Sequence, residues 1–300
     1  MNSIDSKEKT ILVTGVAGYI GSHAAWDLLS SGYRVVGVDC LELPYPELEN
    51  RTRGYLECVE ELEKNFKEFK FEKINICDSS QLAEIFNKYS IDAVLHFAAL
   101  VGVDESVKFP ELYFKNNTEG LLNVVQQMEL AGVNNLVFSS TAASYKDVGS
   151  DILASTRGIT EDYSQEPSSP YGESKLRAEK IIKDSDLNYA ILRYFNVCGA
   201  NSDGIIGDSK KPSMLLVQNA VRGAMGIDKF ELTFNRSIND GEGPIRDYID
   251  VRDLVRAHRL ALEQILSADY KYQKIYNLGT GKGLTVMDIV RANKKHFSVD

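Results

Sequence analysis

Cysteine is scarce in this chain. The four present, Cys40, Cys58, Cys77 and Cys198, form no Cys-x-x-Cys pair and no metal-like spacing. That excludes a zinc-type thiolate cluster and argues against a disulfide framework, so reduced thiols in a cytoplasmic protein are expected. Long apolar runs are missing too. Nothing approaches about 18 continuous apolar residues, and Met1 to Lys9 is polar without a signal core, so neither a membrane span nor a secretory leader is predicted. Positive charge is in deficit: 34 Lys and Arg against 43 Asp and Glu leave a net charge of −9, with no basic block. Nucleic acid and anionic membranes are therefore disfavoured as partners, and an anionic ligand must be met by locally placed cations.

What the chain does contain is a regular alternation. With 300 residues, 43% hydrophobic and 26% charged, it can bury a core in one large or two unequal domains. Strand-like apolar runs at 10–14, 34–38, 70–76, 91–97, 135–140 and 188–194 alternate with helical patterns near 19–31, 54–67, 79–89, 108–131 and 170–184. Parallel strands need crossover connections, so this order predicts an α/β fold, a doubly wound parallel sheet with helices on both faces. After Asn196 the rhythm changes. Gly, Asp, Ser and Lys crowd 199–213, followed by helical patterns near 213–225, 251–267 and 284–296 and short strands near 230–234 and 275–278.

The first strand leads into Thr14-Gly15-Val16-Ala17-Gly18-Tyr19-Ile20-Gly21, with glycines spaced three and three before a helix-compatible stretch. In that pattern Gly15 allows a tight turn, Gly18 lets the main chain approach phosphates, and Gly21 lets helix and strand pack closely. The second strand ends in Asp39, 24 residues after Gly15. An acid there accepts hydrogen bonds from adenosine ribose hydroxyls, and no Arg stands beside it to greet a 2′-phosphate, so NAD is favoured over NADP. The expected division is a Rossmann-type NAD-binding domain over 1–196. A smaller C-terminal α/β substrate lobe covers 197–300, with some segments returning to the main sheet.

Tyr171-Gly172-Glu173-Ser174-Lys175 puts a phenol and an ammonium at i and i+4 on one helix face. A cation beside a phenol favours the phenolate, which a Tyr otherwise reaches only near pH 10. Tyr270 and Lys274 share that spacing, but in a polar stretch without nucleotide-binding context, and read as surface. Thr141 ends the strand-like run Leu136 to Ser140, 30 residues before Tyr171; its hydroxyl could bond a substrate oxygen and hand a proton toward Tyr171. Ser139 and Ser140 are expected to satisfy the strand end and turn.

Taken together these pieces resemble the extended short-chain dehydrogenase/reductase family, and within it the UDP-glucose 4-epimerases. The resemblance rests on Thr14 to Gly21, His96-Phe97-Ala98-Ala99-Leu100, Asn116-Asn117, Phe138 to Thr141 and Tyr171 to Lys175. It continues through Arg193-Tyr194-Phe195-Asn196, Arg246-Asp247-Tyr248-Ile249 and Tyr276 to Gly281, spanning nearly the whole chain in order. It implies interconversion of UDP-glucose and UDP-galactose by transient oxidation at C4 with tightly bound NAD, in a homodimer. By the same resemblance, Tyr19 and Ile20 would meet the pyrophosphate through the backbone and Asp39 the adenosine ribose. Asn75 and Ile76 would take the adenine end, Phe97, Ala98 and Ala99 would line the cofactor cleft, and Asn116 would sit beside the cofactor. Lys175 would bind the nicotinamide ribose and support Tyr171, and Phe195 would flank the nicotinamide. Thr141 and Tyr171 would face the sugar, Asn196 and Arg246 would hold the substrate diphosphate, and Phe234 would neighbour the uracil. The dimer would form through the helices near 108–131 and 170–184, where Leu112, Val124 and Met128 either serve the seam or face the sheet.

The chain departs from that pattern in places. Val101 stands where the epimerases usually have Lys, removing one cation from the cofactor cleft. Asn75 replaces an Asp that receives the adenine amino group, yet its amide oxygen can still accept that bond. Asp78 reads as a helix cap, Thr141 replaces the commoner Ser, and Asp250 replaces a usual His. Epimerases also continue past this C-terminus with a segment closing on the uridine, so either the chain is a fragment or its nucleotide grip differs. A 4,6-dehydratase would carry Asp-Glu after Thr141; Ala142-Ala143-Ser144 stand there instead, which disfavours elimination. A decarboxylase, a reductase and a non-catalytic NAD-binding regulator are the other readings, and intact Thr141, Tyr171 and Lys175 weigh against the last.

Overall fold

The computed structural model describes residues 9–41, 56–147, 158–208, 213, 215–232 and 241–298. Its centre is β1 (Thr10–Thr14), whose apolar run is completely enclosed because both faces are covered. Ile11 and Val13 point into one core, with residues of the helices Tyr19–Ser30 (α1), Leu56–Asn65 (α2) and Val251–Ser267. Leu12 points into the other, with residues of the helices Ser79–Lys88 (α3), Gly120–Leu130 and Pro170–Asp184. The two-residue period of a strand thus feeds two helical layers.

All seven strands of the main sheet pair in parallel, in the order β3-β2-β1-β4-β5-β6-β9. The others are β2 (Arg34–Asp39), β3 (Phe69–Lys73), β4 (Ala93–His96), β5 (Asn135–Ser139), β6 (Asn188–Tyr194) and β9 (Gln273–Leu278). This is the expected Rossmann-type sheet. From β1 the chain winds one way through β2 and β3, then returns to β4, opening a crevice beyond the carboxyl ends of β1 and β4. Past Asn196, β7 (Asn196–Cys198), β8 (Ile245–Asp250) and β10 (Gly283–Thr285) form a small mixed sheet in the order β10-β8-β7. Only Phe195 separates β6 from β7, so the main sheet feeds the small one directly.

The helix expected over 108–131 is broken into parts: Val103–Lys108 (α4), Pro110–Tyr113 (α5), a π-helical turn Phe114–Glu119 and Gly120–Leu130 (α6). The wide turn carries Asn116 and Asn117, both buried. Asn117 accepts from the Leu100 amide at 2.8 Å and donates to the Leu100 carbonyl at 2.9 Å and Ser174 Oγ at 3.0 Å. Polar side chains so engaged repay the irregular turn. Val124 and Met128 of α6 are fully buried against the sheet and not at a seam. Of the strand expected near 230–234, residues 230–232 form none, and 233 and 234 lie outside the described residues.

Helix α1 touches β1 without space for a side chain. A Cβ on Gly21 would sit 2.1 Å from the Gly15 carbonyl oxygen and 2.8 Å from its carbon, both backbone atoms. Gly21→Ala is expected to lower stability by about 1–3 kcal/mol, read as a lower urea midpoint. An unchanged midpoint would contradict the close packing.

Candidate active site

The glycine turn is held by its neighbours. Gly15 adopts φ +71°, its amide donates to the Val38 carbonyl at 2.8 Å, and a Cβ there would collide with the Ala98 amide at 2.6 Å. Gly18 caps α1 with extended backbone and no side-chain bond, leaving the helix N-terminus to face the crevice as an anion site. At the end of β2, Asp39 accepts from the Ala17 amide at 3.1 Å and the Leu41 amide at 2.9 Å. Burial raises its carboxyl pKa, while these amides pull it back. Two bonds still leave lone pairs for a diol. Asn75 Oδ1 accepts from the Cys77 amide at 2.9 Å, again with a lone pair to spare. Asp78 caps α3, accepting from the amides of Ser80 and Gln81.

These parts open onto a cavity of about 1340 Å³. That exceeds the ordinary 300–1,000 Å³ of a single small-ligand site and leaves room for a second ligand beside a dinucleotide. Its wall includes Gly15, Gly18, Tyr19, Ile20, Gly21 and Asp39 at the turn and Asn75 and Ile76 at the far end. Phe97, Ala98, Ala99 and Asn116 line it as well, as do Phe195, Asn196 and Arg246 at the small sheet. Phe234 lies outside the described residues. The glycine cradle and the carboxylate of Asp39 fit a dinucleotide. Val101, 44% exposed, lines the same wall and brings no charge.

The chemical groups gather where β5 and β6 end. The helix Pro170–Asp184 (α7) starts under the Ser169 cap and carries Tyr171 and Lys175 on one face. Lys175 Nζ donates to the Ser139 carbonyl at 2.9 Å and lies 4.8 Å from the centre of the Phe138 ring. The Thr141 hydroxyl acts on the Tyr171 phenol, lowering its pKa, and accepts from the Ala143 amide at 3.1 Å, capping a short 3-10 turn. Ser139 Oγ pairs with the Tyr194 hydroxyl, and Ser140 Oγ donates to Glu179 at 2.6 Å. Both serines therefore wire the site's side chains together and do not merely finish a turn.

The electrostatics differ from the sequence expectation. Burial drives Lys175 down from 10.5 to about 7, with Glu179 acting in the opposite direction. Burial also raises Tyr171, and it is the Thr141 hydroxyl that pulls the phenol down. Lys175 shares the helix face, but in the cofactor-free chain the group that lowers the phenol is the Thr141 hydroxyl. His96 is pushed down to about 3, first by burial and then by the Lys175 charge, so it is neutral and shares a hydrogen bond with Thr14 Oγ1 at 2.9 Å.

The carboxylates nearest Arg246 in the chain, Asp247 and Asp250, are engaged elsewhere. Asp247 accepts from the Thr280 amide and hydroxyl and the Gly281 amide, and Asp250 pairs with Arg252 at 2.8 Å while capping the helix Val251–Ser267 (α9). The Arg246 guanidinium donates to the Ile245 carbonyl and faces the cavity. Tyr270 is 58% exposed and not helical, as its polar surroundings suggested. Tyr145 and Lys146 also line the cavity and were missed. The available signal was an aromatic residue four positions past Thr141.

A family model described as the NAD dependent epimerase/dehydratase family matches residues 11–279. UDP-arabinose 4-epimerase 1 of Arabidopsis thaliana is 40% identical over 304 residues, covering 97% of this chain and 68% of that protein. UDP-glucose 4-epimerase of Lactobacillus helveticus is 37% identical over 295 residues, covering 97% and 82%. The solved UDP-glucose-4-epimerase of Stenotrophomonas maltophila, with bound NAD and formylated UDP-arabinopyranose, superposes with a TM-score of 0.85. It is 34% identical, covering 97% of this chain and 84% of that one.

The buried lysine gives a signed pH dependence. Between about 7 and 10.5 the unfolded chain holds a proton that the folded, cofactor-free chain has released. Stability from this site is present in full above 10.5 and is lost as pH falls through about 7. Lys175→Met removes that dependence. Its gain over wild type in urea unfolding without NAD should shrink steadily from neutral to alkaline pH. A pH-independent difference would contradict the desolvated ammonium.

Proposed function

The chain belongs to the NAD-dependent epimerase/dehydratase family, and on that premise we propose that it interconverts UDP-glucose and UDP-galactose by transient oxidation at C4. The observation that carries this reading is that Tyr171 and Thr141, whose hydroxyl lowers the pKa of the phenol, stand together on the wall of a cavity that also holds the dinucleotide cradle. When bound, NAD supplies the hydride acceptor and donor for C4 and, in its oxidised form, a positive charge near Tyr171. Tyr171, as the phenolate, takes the proton of the sugar 4-hydroxyl and later returns it. Thr141 holds the same oxygen and keeps the phenol aimed at it. Lys175 binds the nicotinamide ribose, and Asn116 and Phe195 confine the cofactor beside it. Asn196 and Arg246 hold the diphosphate, Arg246 through paired contacts. With the nucleotide tethered between the 1–196 and 197–300 portions, the flat 4-keto sugar is free to present either face.

A second substrate is favoured by one observation: a 40% identical relative bears the name UDP-arabinose 4-epimerase. A UDP-pentose lacks the C6 group but presents the same C4 hydroxyl, so it asks nothing more of Tyr171 and Thr141. Incubation with UDP-galactose and, separately, UDP-arabinopyranose, reading out the C4 epimers, decides between them.

Tyr171→Phe is expected to lower turnover by at least about 10²-fold while NAD, read by its absorbance and co-elution, stays bound. Near-normal turnover in that variant would overturn the assignment. We propose a homodimer through the helices near 108–131 and 170–184, the first of which leaves Leu122 exposed. Sedimentation should give a dimer at micromolar concentration, and a stable monomer would remove that assignment.

A further inference from the structure

We propose that Glu179 is a positioning residue of the active site: its carboxylate clamps the helix bearing Tyr171 and Lys175 to the strand ends bearing Thr141 and Tyr194, and its negative charge favours the protonated form of Lys175 against the burial that disfavours it. The proposal deepens the epimerase reading and rests on it for the roles of Tyr171 and Lys175.

A fully buried glutamate is costly unless every lone pair is used. Glu179 has no exposed surface and uses both oxygens. Oε1 accepts from Ser140 Oγ at 2.6 Å and Arg193 Nε at 2.9 Å; Oε2 accepts from Arg193 Nη2 at 2.6 Å and Gln165 Nε2 at 3.2 Å. Ser140 precedes Thr141, and Arg193 precedes Tyr194. One carboxylate on α7 thus grips the residue that follows β5 and the penultimate residue of β6, each next to a residue whose hydroxyl serves the site. Arg193 carries the grip onward, donating to the Tyr145 hydroxyl at 2.7 Å and the Glu161 carbonyl at 2.9 Å. Tyr145 in turn donates to Asn277 Oδ1 at 2.7 Å, which ties in β9.

Glu179 also lies one turn beyond Lys175 and two beyond Tyr171 on the same face. The other groups around Lys175 do not stabilise its charge as an anion does. His96 from β4 is neutral, and Tyr194 from β6 keeps its proton because burial raises it. Arg193 from β6 and Lys183, one turn further along α7, are cations bound to Glu179, and β5 offers only the Phe138 ring and the Ser139 carbonyl. Burial alone works to raise Glu179, but the hydrogen bonds and charge of Arg193, with Ser140 and Lys183, hold its carboxyl below the usual range. It is therefore an anion at every pH where the enzyme would work.

The test uses the NAD-loaded protein with two readouts. The first is the pH titration of the Lys175 Nζ resonance in ¹⁵N-lysine-labelled protein, assigned by its loss in Lys175→Met. The second is kcat against pH with UDP-galactose. Glu179→Gln should move the Lys175 midpoint down by about one pH unit and carry the alkaline limb of kcat with it. Glu179→Asp, which keeps the charge, should leave the midpoint near that of wild type. Glu179→Gln strands a buried guanidinium, so the double variant Glu179→Gln/Arg193→Met guards against simple unfolding and should show a smaller shift in the same direction. A midpoint unmoved in both charge-removing variants overturns the proposal, even if kcat falls. Wild-type protein inactive on UDP-sugars would instead sink the epimerase reading, while the Nζ titration would still decide the role of Glu179.

Discussion

The architecture depends on a backbone contact that tolerates no side chain. Gly15 turns at φ +71° against the Ala98 amide, and Gly21 meets the Gly15 carbonyl where a methyl would intrude at 2.1 Å. That contact brings the start of α1 onto the end of β1 beside β4, at the point where the sheet reverses its winding. Every element carrying a chemical group then arrives at the same edge because parallel strands all end on one side. β2 delivers Asp39, β5 delivers Thr141, and β6 delivers Tyr194 and, just beyond, Asn196.

The core is layered around this edge, with α1, α2 and α9 on one face and α3, α6 and α7 on the other. Polar groups beneath the cavity partner one another. Asn117 bonds Leu100 and Ser174, Thr14 bonds His96, and Arg193 bonds Glu179 and Tyr145. Partnering of this kind is what makes so much buried polarity tolerable, and it fixes the side chains that face the ligands.

The strands were legible in the sequence because buried parallel strands read as unbroken apolar runs, and β1 and β6 fall where those runs lie. The glycine turn and Asp39 were legible because spacing alone states what the backbone must do. The small sheet was much less so. β7 and β10 are three residues each, and the β8 run Ile245–Asp250 alternates with charged residues, so its pairing is decided by tertiary context. The Tyr171–Lys175 spacing told which face they share but not their protonation. That depends on burial and on Ser139, Thr141 and Glu179, which arrive from other elements or another turn. Val124 and Met128 were ambiguous for a similar reason: an apolar helical stripe does not say which neighbour it meets.

The widened turn at Phe114–Glu119 has a consequence for how this scaffold tolerates insertions and deletions. A π turn amounts to one surplus residue within an α-helix. Excising a single residue there would let the helix close up regularly with its flanks keeping their faces, because the wide turn already absorbs the surplus residue, and only the residues of the turn itself would be re-aimed. The hydrogen bonds within the helix would survive, but Asn116 would swing off the cavity wall and Asn117 would release the strand-end loop at Leu100. In this segment, helical regularity and ligand-site geometry are mutually exclusive.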